Sequence, residues 1–560
     1  MLTLLITHIA ITFIYICVGF LFYSIVTKIP LEKPTVYYLV TGFICLTTIS
    51  QIIVLFMPLT VYVFLPVMFL VAVSVVTNWQ RFLRFCTHII HEINSLLLLQ
   101  KLLFILVWLV ILLINAGPIL MDDTESYHIQ SIKWIQEYGS VPGLVNLHER
   151  FGFNSSWFSS IALFNFFSKT TGGFTALNSV LSVWLSYWFI SKFNQCRTGN
   201  SPTAAFGILA TFIAGLVVWP IIRGNAATTN YDFITTCVVV ILFAEIFLST
   251  DRKISPSIEW ILWPAYLFTV KIINFPLLLL SLFAVVILIK QKNIKAALLP
   301  IAYCLLLIIP FLIRNIIIAG YPFYPVTSFN WFNVDWKPDS QITEKLLEYI
   351  KYYNRVSTTY LDIEQTKALG SAWMPSWFQY LFWYDKLLVL AGLGGILLTI
   401  AKLFSGKYVF GNKMIMLLSV IIAWLAAWFI ISPDPRFVYG VFLFGIFLLI
   451  YHFISLFKNF SAIEFLQHAI IILLVMGTLY YLISKPLKQT EYQNWVSPPS
   501  LPQPPVKEIL IDSILFRIPQ PINNNWNARC YGTDLPCLYK IDPRLKARGK
   551  NIDSGFRLEK

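Results

Sequence analysis

Apolar stretches of about 20 residues, roughly fifteen in all, recur from Leu2 to about Ser484 with short polar turns between them. That length matches the hydrocarbon core of a bilayer. In lipid, every backbone N–H and C=O must find a partner within the protein, which leaves helices and closed barrels as the spanning structures. The pattern predicts an all-α polytopic membrane protein. The first stretch, Leu2 to Val26, has no basic residue before it and no small-residue cleavage pattern after it, so a retained span is expected rather than a signal peptide.

Two segments break the rhythm. The loop from Gly320 to Asp385 is rich in aromatic residues, among them Trp331, Trp336, Trp373, Trp377 and Trp383. Its stretch KPDSQITEKLLEYIKYY places Asp339 as an N-cap and Leu346, Leu347 and Ile350 at helical spacing, which predicts an amphipathic helix along the membrane surface. After Ser484, SPPSLPQPP reads as a proline-rich linker and KEILIDSILFRI as a short strand of partly alternating polarity. A small external appendage stapled by Cys530 and Cys537 is expected there. The organisation is then N-terminal helices over 1–102 and a transmembrane core over 103–318 that carries the acidic loop 121–155. The aromatic loop covers 319–384, further helices 385–484, and the tail 485–560.

Composition agrees with the pattern: 58% of residues are hydrophobic and 12% charged, and the mean hydropathy of +0.72 excludes water as the main solvent. A net charge of +14 would ordinarily raise nucleic acid as a partner, but Lys and Arg fall in short clusters between apolar segments. Topology accounts for them, and no nucleic-acid partner is implied. The clusters agree if each is cytoplasmic: Lys28 with Lys33, Arg81 with Arg84 and Lys101, Lys192 with Arg197, Arg252 with Lys253, Lys290 with Lys292 and Lys295, and Lys402 with Lys407 and Lys413. The acidic loop, the turn at Asp232, the aromatic loop, the turn from Pro433 to Arg436 and the tail then face outward. Three apolar segments, near 155–168, 174–191 and 203–222, lie between Asp123 and Asp232, so a fourth, short or re-entrant crossing between about Ile129 and Ser155 is expected to keep both aspartates on one side.

Cys17, Cys45, Cys86, Cys196, Cys237 and Cys304 lie in or beside apolar stretches and read as small buried hydrophobes. Cys530 and Cys537 lie in polar sequence without His or Cys partners nearby, which suits a disulfide in an oxidising compartment better than a zinc site.

Candidate chemistry is concentrated in three turns. MDDTESYHIQSIKWIQEYG sets Asp122 and Asp123 directly after a strongly apolar span. Capping of the following helix accounts for one aspartate, with Glu125 favourable in the first turn. The functional alternative makes one carboxylate a general base, with His128 one turn on as an assistant or simply a polar interface residue. WPIIRGNAATTNYDFITT brings Arg223 and then Asp232 to the start of a span, again as a cap or a functional acid. Two acidic turns on one face repel each other unless a metal, a cation or a substrate lies between them, so use of a divalent metal stays open. SPDPRFVYG brackets Asp434 with prolines and presents Arg436, which can pair with Asp434, snorkel, or grip a phosphate with its planar fork. Lys271 and Arg314 are further cations near the outer ends of their spans, where snorkelling is the simpler account.

An acidic motif in the first large external loop, followed by a proline and later a second Asp before the next span, resembles the GT-C superfamily of membrane glycosyltransferases. The resemblance covers about Ile111 to Tyr439, and RNIIIAGYPFYP and SPDPRF are similar to stretches in a poorly characterised bacterial branch of that superfamily. It implies a GT-C-like helix bundle in the bacterial inner membrane, working in cell-envelope glycan assembly with its active face external or periplasmic. The donor would be a sugar on a polyprenyl-phosphate-type carrier and the acceptor a glycan, lipid or protein. Carried over, Asp122 or Asp123 takes the catalytic acidic position, Asp232 the second acidic position, and Arg436 a carrier-phosphate contact. Arg223, Lys271, His128 and Arg314 are further substrate-binding candidates. The chain departs from the pattern in having about four spans before the acidic loop instead of one, no His-Pro-Pro motif after it, and a small tail in place of a large domain. A carrier or flippase for a lipid-linked or amphipathic solute would use the same charges as a pathway and would show broken helices near the midplane. A non-enzymatic scaffold for envelope assembly would leave the aspartates far apart.

Overall fold

The structure, a computed structural model, describes residues 1–26, 33–164, 170–249, 256–356, 363–405, 412–457, 460–521 and 529–559. Of the basic residues used for topology, Lys28, Arg252, Lys253 and Lys407 lie outside the described residues.

The chain is an all-α polytopic membrane protein. It runs through α1 (Leu2–Leu21), α2 (Thr35–Ile53), α3 (Val61–Thr77), α4 (Trp79–Asn94), α5 (Leu98–Asn115), α6 (Ile129–Glu137), α7 (Ser156–Phe164) and α8 (Thr171–Thr198). Then follow α9 (Pro202–Val217), α10 (Ile222–Asn225), α11 (Asp232–Leu248), α12 (Glu259–Val270), α13 (Leu278–Lys290) and α14 (Ile294–Ala319). The aromatic loop holds α15 (Ser340–Val356), α16 (Ile363–Ala368) and α17 (Trp373–Tyr380), and the last long helices are α18 (Trp383–Phe404), α19 (Asn412–Ile431), α20 (Tyr439–Ile454) and α21 (Phe460–Lys488). Among the described residues ten helices are long and apolar enough to cross a membrane, and α3 with α4, bent by 92°, forms one further candidate. That is fewer than the apolar stretches of the sequence suggest. Part of the difference lies in helices such as α7, of nine residues, which is apolar because protein encloses it, while α9 and α12, of 16 and 12 residues, are apolar but short.

Backbones approach closely where glycines meet. A methyl group on Gly395 of α18 would collide with the Gly445 carbonyl of α20, and one on Gly42 of α2 with the Tyr15 carbonyl of α1. Small residues are what allow such crossings between apolar helices in lipid.

The expected fourth crossing is absent. Thr171 N donates to Pro499 O in the tail, and the same tail receives the Met1 ammonium and Thr3 N. The start of α7 lies beside the end of α14, where Asn154 donates to Phe311 O at 3.1 Å. Asn154, before α7, and Thr171, at the start of α8, are therefore on one face, and α7, with nine residues, is about 14 Å long, too short to span. Between Ile129 and Ser155 the chain forms only α6 and two short 3₁₀ turns. The helices α8 and α9 carry the chain across and back, so Asp123 and Asp232 share a face without a crossing between Ile129 and Ser155.

The tail also departs from expectation. KEILIDSILFRI forms a hairpin, β1 (Val506–Ile511) with β2 (Ile514–Pro519), because Asp512 and Ser513 at φ 47° and 70° make the tight left-handed turn that suits twisted strands. A second pair joins β3 (Leu545–Ala547) to β4 (Phe556–Leu558). The tail is no separate appendage. Phe516, Leu538 and Phe556 share one apolar core with Tyr127, Trp134 and Leu144 of the acidic loop and Tyr321 and Tyr324 of the aromatic loop. In α15 the expected cap is present, with Gln341 N donating to Asp339 Oδ1 at 3.0 Å.

A candidate active site at the helix ends

Five separate stretches meet at one face: the turn before α6, the 3₁₀ turn before α7, the start of α11, the end of α12 and the turn before α20. The first and third are joined by their backbones and side chains. Thr229 N donates to Thr124 Oγ1 at 3.1 Å, and His128 Nδ1 shares a 2.8 Å hydrogen bond with Thr229 Oγ1. The His128 ring is buried among Tyr127, Phe158 and Tyr231. Burial pushes its pKa down to about 3, so the imidazole is neutral and joins the two acidic turns without adding charge.

Around this joint the charges alternate. Arg150 Nη1 is 3.3 Å from Asp123 Oδ1, and Arg436 Nη1 is 3.3 Å from Asp123 Oδ2. Arg436 Nε lies 2.9 Å from Asp434 Oδ2 and 3.8 Å from Asp232 Oδ2, and Lys271 Nζ lies 2.8 Å from Asp232 Oδ1. Three carboxylates thus face three cations, with Arg436 at the centre. Lys271 Nζ also sits 3.1 Å from the centre of the Phe437 ring and 5.2 Å from that of Tyr231. The Asp232 side chain is only 6% exposed, whereas those of Asp123 and Arg436 are 23% and 30% exposed, so the cluster is open to a ligand from one side. Burial favours the protonated acid at Asp123, but the charges of Arg436 and Arg150 outweigh it and hold the carboxyl below the usual carboxylate range.

Helix capping does not account for the two aspartates at the cluster. Asp232 N donates to Asn230 Oδ1 at 3.0 Å, so Asn230 does the capping and the Asp232 carboxylate is left for Lys271 and Arg436. Asp123 makes no side-chain cap bond. At the third turn the cap is Asp434, which accepts from Arg436 N at 3.0 Å, and the turn is pinned by the indoles of Trp377 and Trp428, which donate to Pro433 O and Asp434 O.

The remaining candidates lie elsewhere. Asp122 points away from its neighbour, is 80% exposed and pairs with Arg529 of the tail at 2.6 Å. Arg223 donates to Val217 O and covers the Trp219 ring, facing Tyr481 of α21. Arg314 is buried against Asn154 and makes no ion pair among the described residues. Cys530 and Cys537 are joined in a disulfide. Among the described residues no group of three or more His, Cys, Asp or Glu side chains is arranged to hold a metal ion. A cleft of about 500 Å³ opens between Tyr138 and tail residues Ile514, Arg517, Leu535 and Lys550, and none of the clustered charges lines it.

Residues 1–443 match a family described as a domain of unknown function, DUF8201. The chain belongs to that family. No curated protein and no solved structure matches it. The DUF8201 region contains every member of the charged cluster, from Asp123 to Arg436, and ends before the tail that packs on the acidic loop.

Arg150 and Arg529 were not identified from the sequence as site residues. Arg150 carried a usable signal, as one of two cations, with Lys133, in the loop that supplies Asp123. Arg529 lies about 400 residues beyond its partners, and only the fold brings them together.

Proposed function

We propose that the chain is a GT-C-type membrane glycosyltransferase that moves a sugar from a polyprenyl-phosphate-type lipid carrier to a glycan, lipid or protein acceptor on the external face. The observation that carries this reading is the Arg436 guanidinium, shared between Asp123 and Asp232 from distant segments. A planar fork held by carboxylates can exchange them for the oxygens of a phosphate. Arg150 and Lys271 flank it and add positive charge where the leaving phosphate develops negative charge. In the reaction the acceptor oxygen bonds to the anomeric carbon as the bond from that carbon to the phosphate oxygen breaks. Asp123 takes the acceptor proton, and the lipid phosphate leaves with the pair of electrons. Engagement of Arg436 by phosphate relieves Asp123 of one cation and strengthens it as a base. Asp232 holds Lys271 and Arg436 in place. Direct attack of this kind inverts the anomeric centre.

Two features favour this over a carrier. The charges sit at helix ends on one face, whereas a transport site is expected near the midplane between broken helices. The described basic residues Lys33, Arg81, Lys192, Lys290, Lys402 and Lys413 lie at the opposite ends of the helices, which favours an external site by the positive-inside rule. The test is release of free polyprenyl phosphate from polyprenyl-phosphate hexoses and pentoses by protein reconstituted in nanodiscs with crude envelope glycan as acceptor. Release that depends on Asp123 and Arg436 supports the enzyme. Movement of the intact lipid-linked sugar across proteoliposomes without release would replace it with the carrier.

A further inference from the structure

The last part of the tail lies across the start of the acidic loop. Arg529 Nη2 is 2.6 Å from Asp122 Oδ1, and Arg529 Nη1 meets the Glu125 carboxylate. The next residue, Cys530, is bonded to Cys537. Inside the ring so closed, Tyr531 O and Thr533 O accept from Gln130 Nε2 at 3.0 and 3.1 Å, and Gly532 O and Thr533 O accept from Lys133 Nζ at 3.1 and 2.8 Å. Gln130 is fully buried beneath these contacts. Asp123 therefore belongs to a stretch gripped at residues 122, 125, 130 and 133.

This grip has work to do. The segment from Thr124 to Glu137 begins as a π-turn and continues as nine residues of α6, a length at which an isolated helix is marginal in water. A ring closed by a disulfide offers its carbonyls with less chain entropy to lose than an open loop would have. The contacts also come from beyond residue 443, outside the region that matches the family.

We propose that Arg529 and the Cys530–Cys537 ring are positioning residues for Asp123, an oxidised strap that keeps the acidic turn registered against Arg150 and Arg436. Its effect on catalysis rests on the reading of Asp123 as the base, whereas its effect on the order of residues 122–137 does not. The strap closes only where disulfides persist, so the site is complete only in an oxidising compartment.

Hydrogen exchange on the full-length protein in nanodiscs tests this. The samples are wild type, Arg529→Ala, Arg529→Lys, and wild type reduced by dithiothreitol, which yields two thiols as the reagent closes to its own cyclic disulfide. Amides of 124–137 are expected to exchange about tenfold faster in Arg529→Ala and in the reduced protein, with α20 unchanged and Arg529→Lys partly restored. In transfer assays, kcat should fall with the donor KM unchanged. Unchanged exchange at 124–137, uniform acceleration throughout the protein, or faster local exchange with undiminished kcat would each overturn the strap. Faster local exchange in a protein that transfers no sugar to any acceptor would leave the strap standing and remove the proposed function.

Discussion

Replacing Arg436 with Ala leaves Asp123, Asp232 and Asp434 facing only Arg150 and Lys271, one cation short. Breaking a fully buried pair costs about 3–5 kcal/mol and an exposed one about 0–1 kcal/mol. Arg436 is 30% exposed and Asp232 6%, so the variant should be destabilised by an intermediate amount, about 1–3 kcal/mol. Binding should suffer separately, because a charge-assisted hydrogen bond to phosphate is worth about 1.5–3 kcal/mol, or about 10- to 150-fold in Kd. Combining Arg436→Ala with Asp232→Asn restores charge balance, so thermal stability should recover in the double variant while phosphate binding does not. The assay is titration of nanodisc-embedded protein with short-chain polyprenyl phosphate, paired with thermal unfolding. Wild-type affinity in Arg436→Ala would refute the phosphate role. Recovery of affinity together with stability in the double variant would reduce Arg436 to a structural lock.

Other outcomes follow from the same geometry. The depressed pKa of Asp123 stabilises the folded state fully above the unfolded value of about 4 and ceases to do so as pH falls through the lower folded value. The loss of thermal stability below about pH 4 should therefore be shallower in Arg436→Ala than in wild type, because Asp123 is then less depressed; an acid limb of wild-type depth in Arg436→Ala would contradict this. Single cysteines in the tail and in the aromatic loop should react with an impermeant maleimide on intact cells, and reaction only after permeabilisation reverses the orientation. Gly395→Leu should abolish stable expression, because α18 and α20 cannot separate without losing their contact, and normal expression would show that the crossing yields.

The span pattern made the helical class legible, and turn chemistry made Asp123, Asp232 and Arg436 visible as charges that need a reason. Hydropathy could not separate helices that face lipid from short ones enclosed by protein. For that reason the apolar segment 155–168 read as a crossing and forced an extra one. Choosing between Asp122 and Asp123 was beyond sequence reasoning as well: adjacent residues on a helical turn point about 100° apart, and only the partners reveal which faces the cluster. Lys271 read as a snorkelling cation because its partner Asp232 lies 39 residues earlier. The tail read as an appendage because local strand and proline signals carry no information on what those strands pack against. Its contacts with Gln130 and Lys133 use backbone carbonyls, which any sequence supplies.

In the proposed reaction Asp123 takes the acceptor proton beside a phosphate held by Arg436. The most direct measurement of this step is single-turnover transfer by Asp123→Asn with donor binding recorded on the same preparation. Asn keeps the shape and a hydrogen-bond acceptor but not the basicity, and general base catalysis is worth about 10²- to 10⁴-fold. The transfer rate should fall by that factor, with donor affinity within a few-fold of wild type. Transfer at the wild-type rate in Asp123→Asn would contradict that role of Asp123.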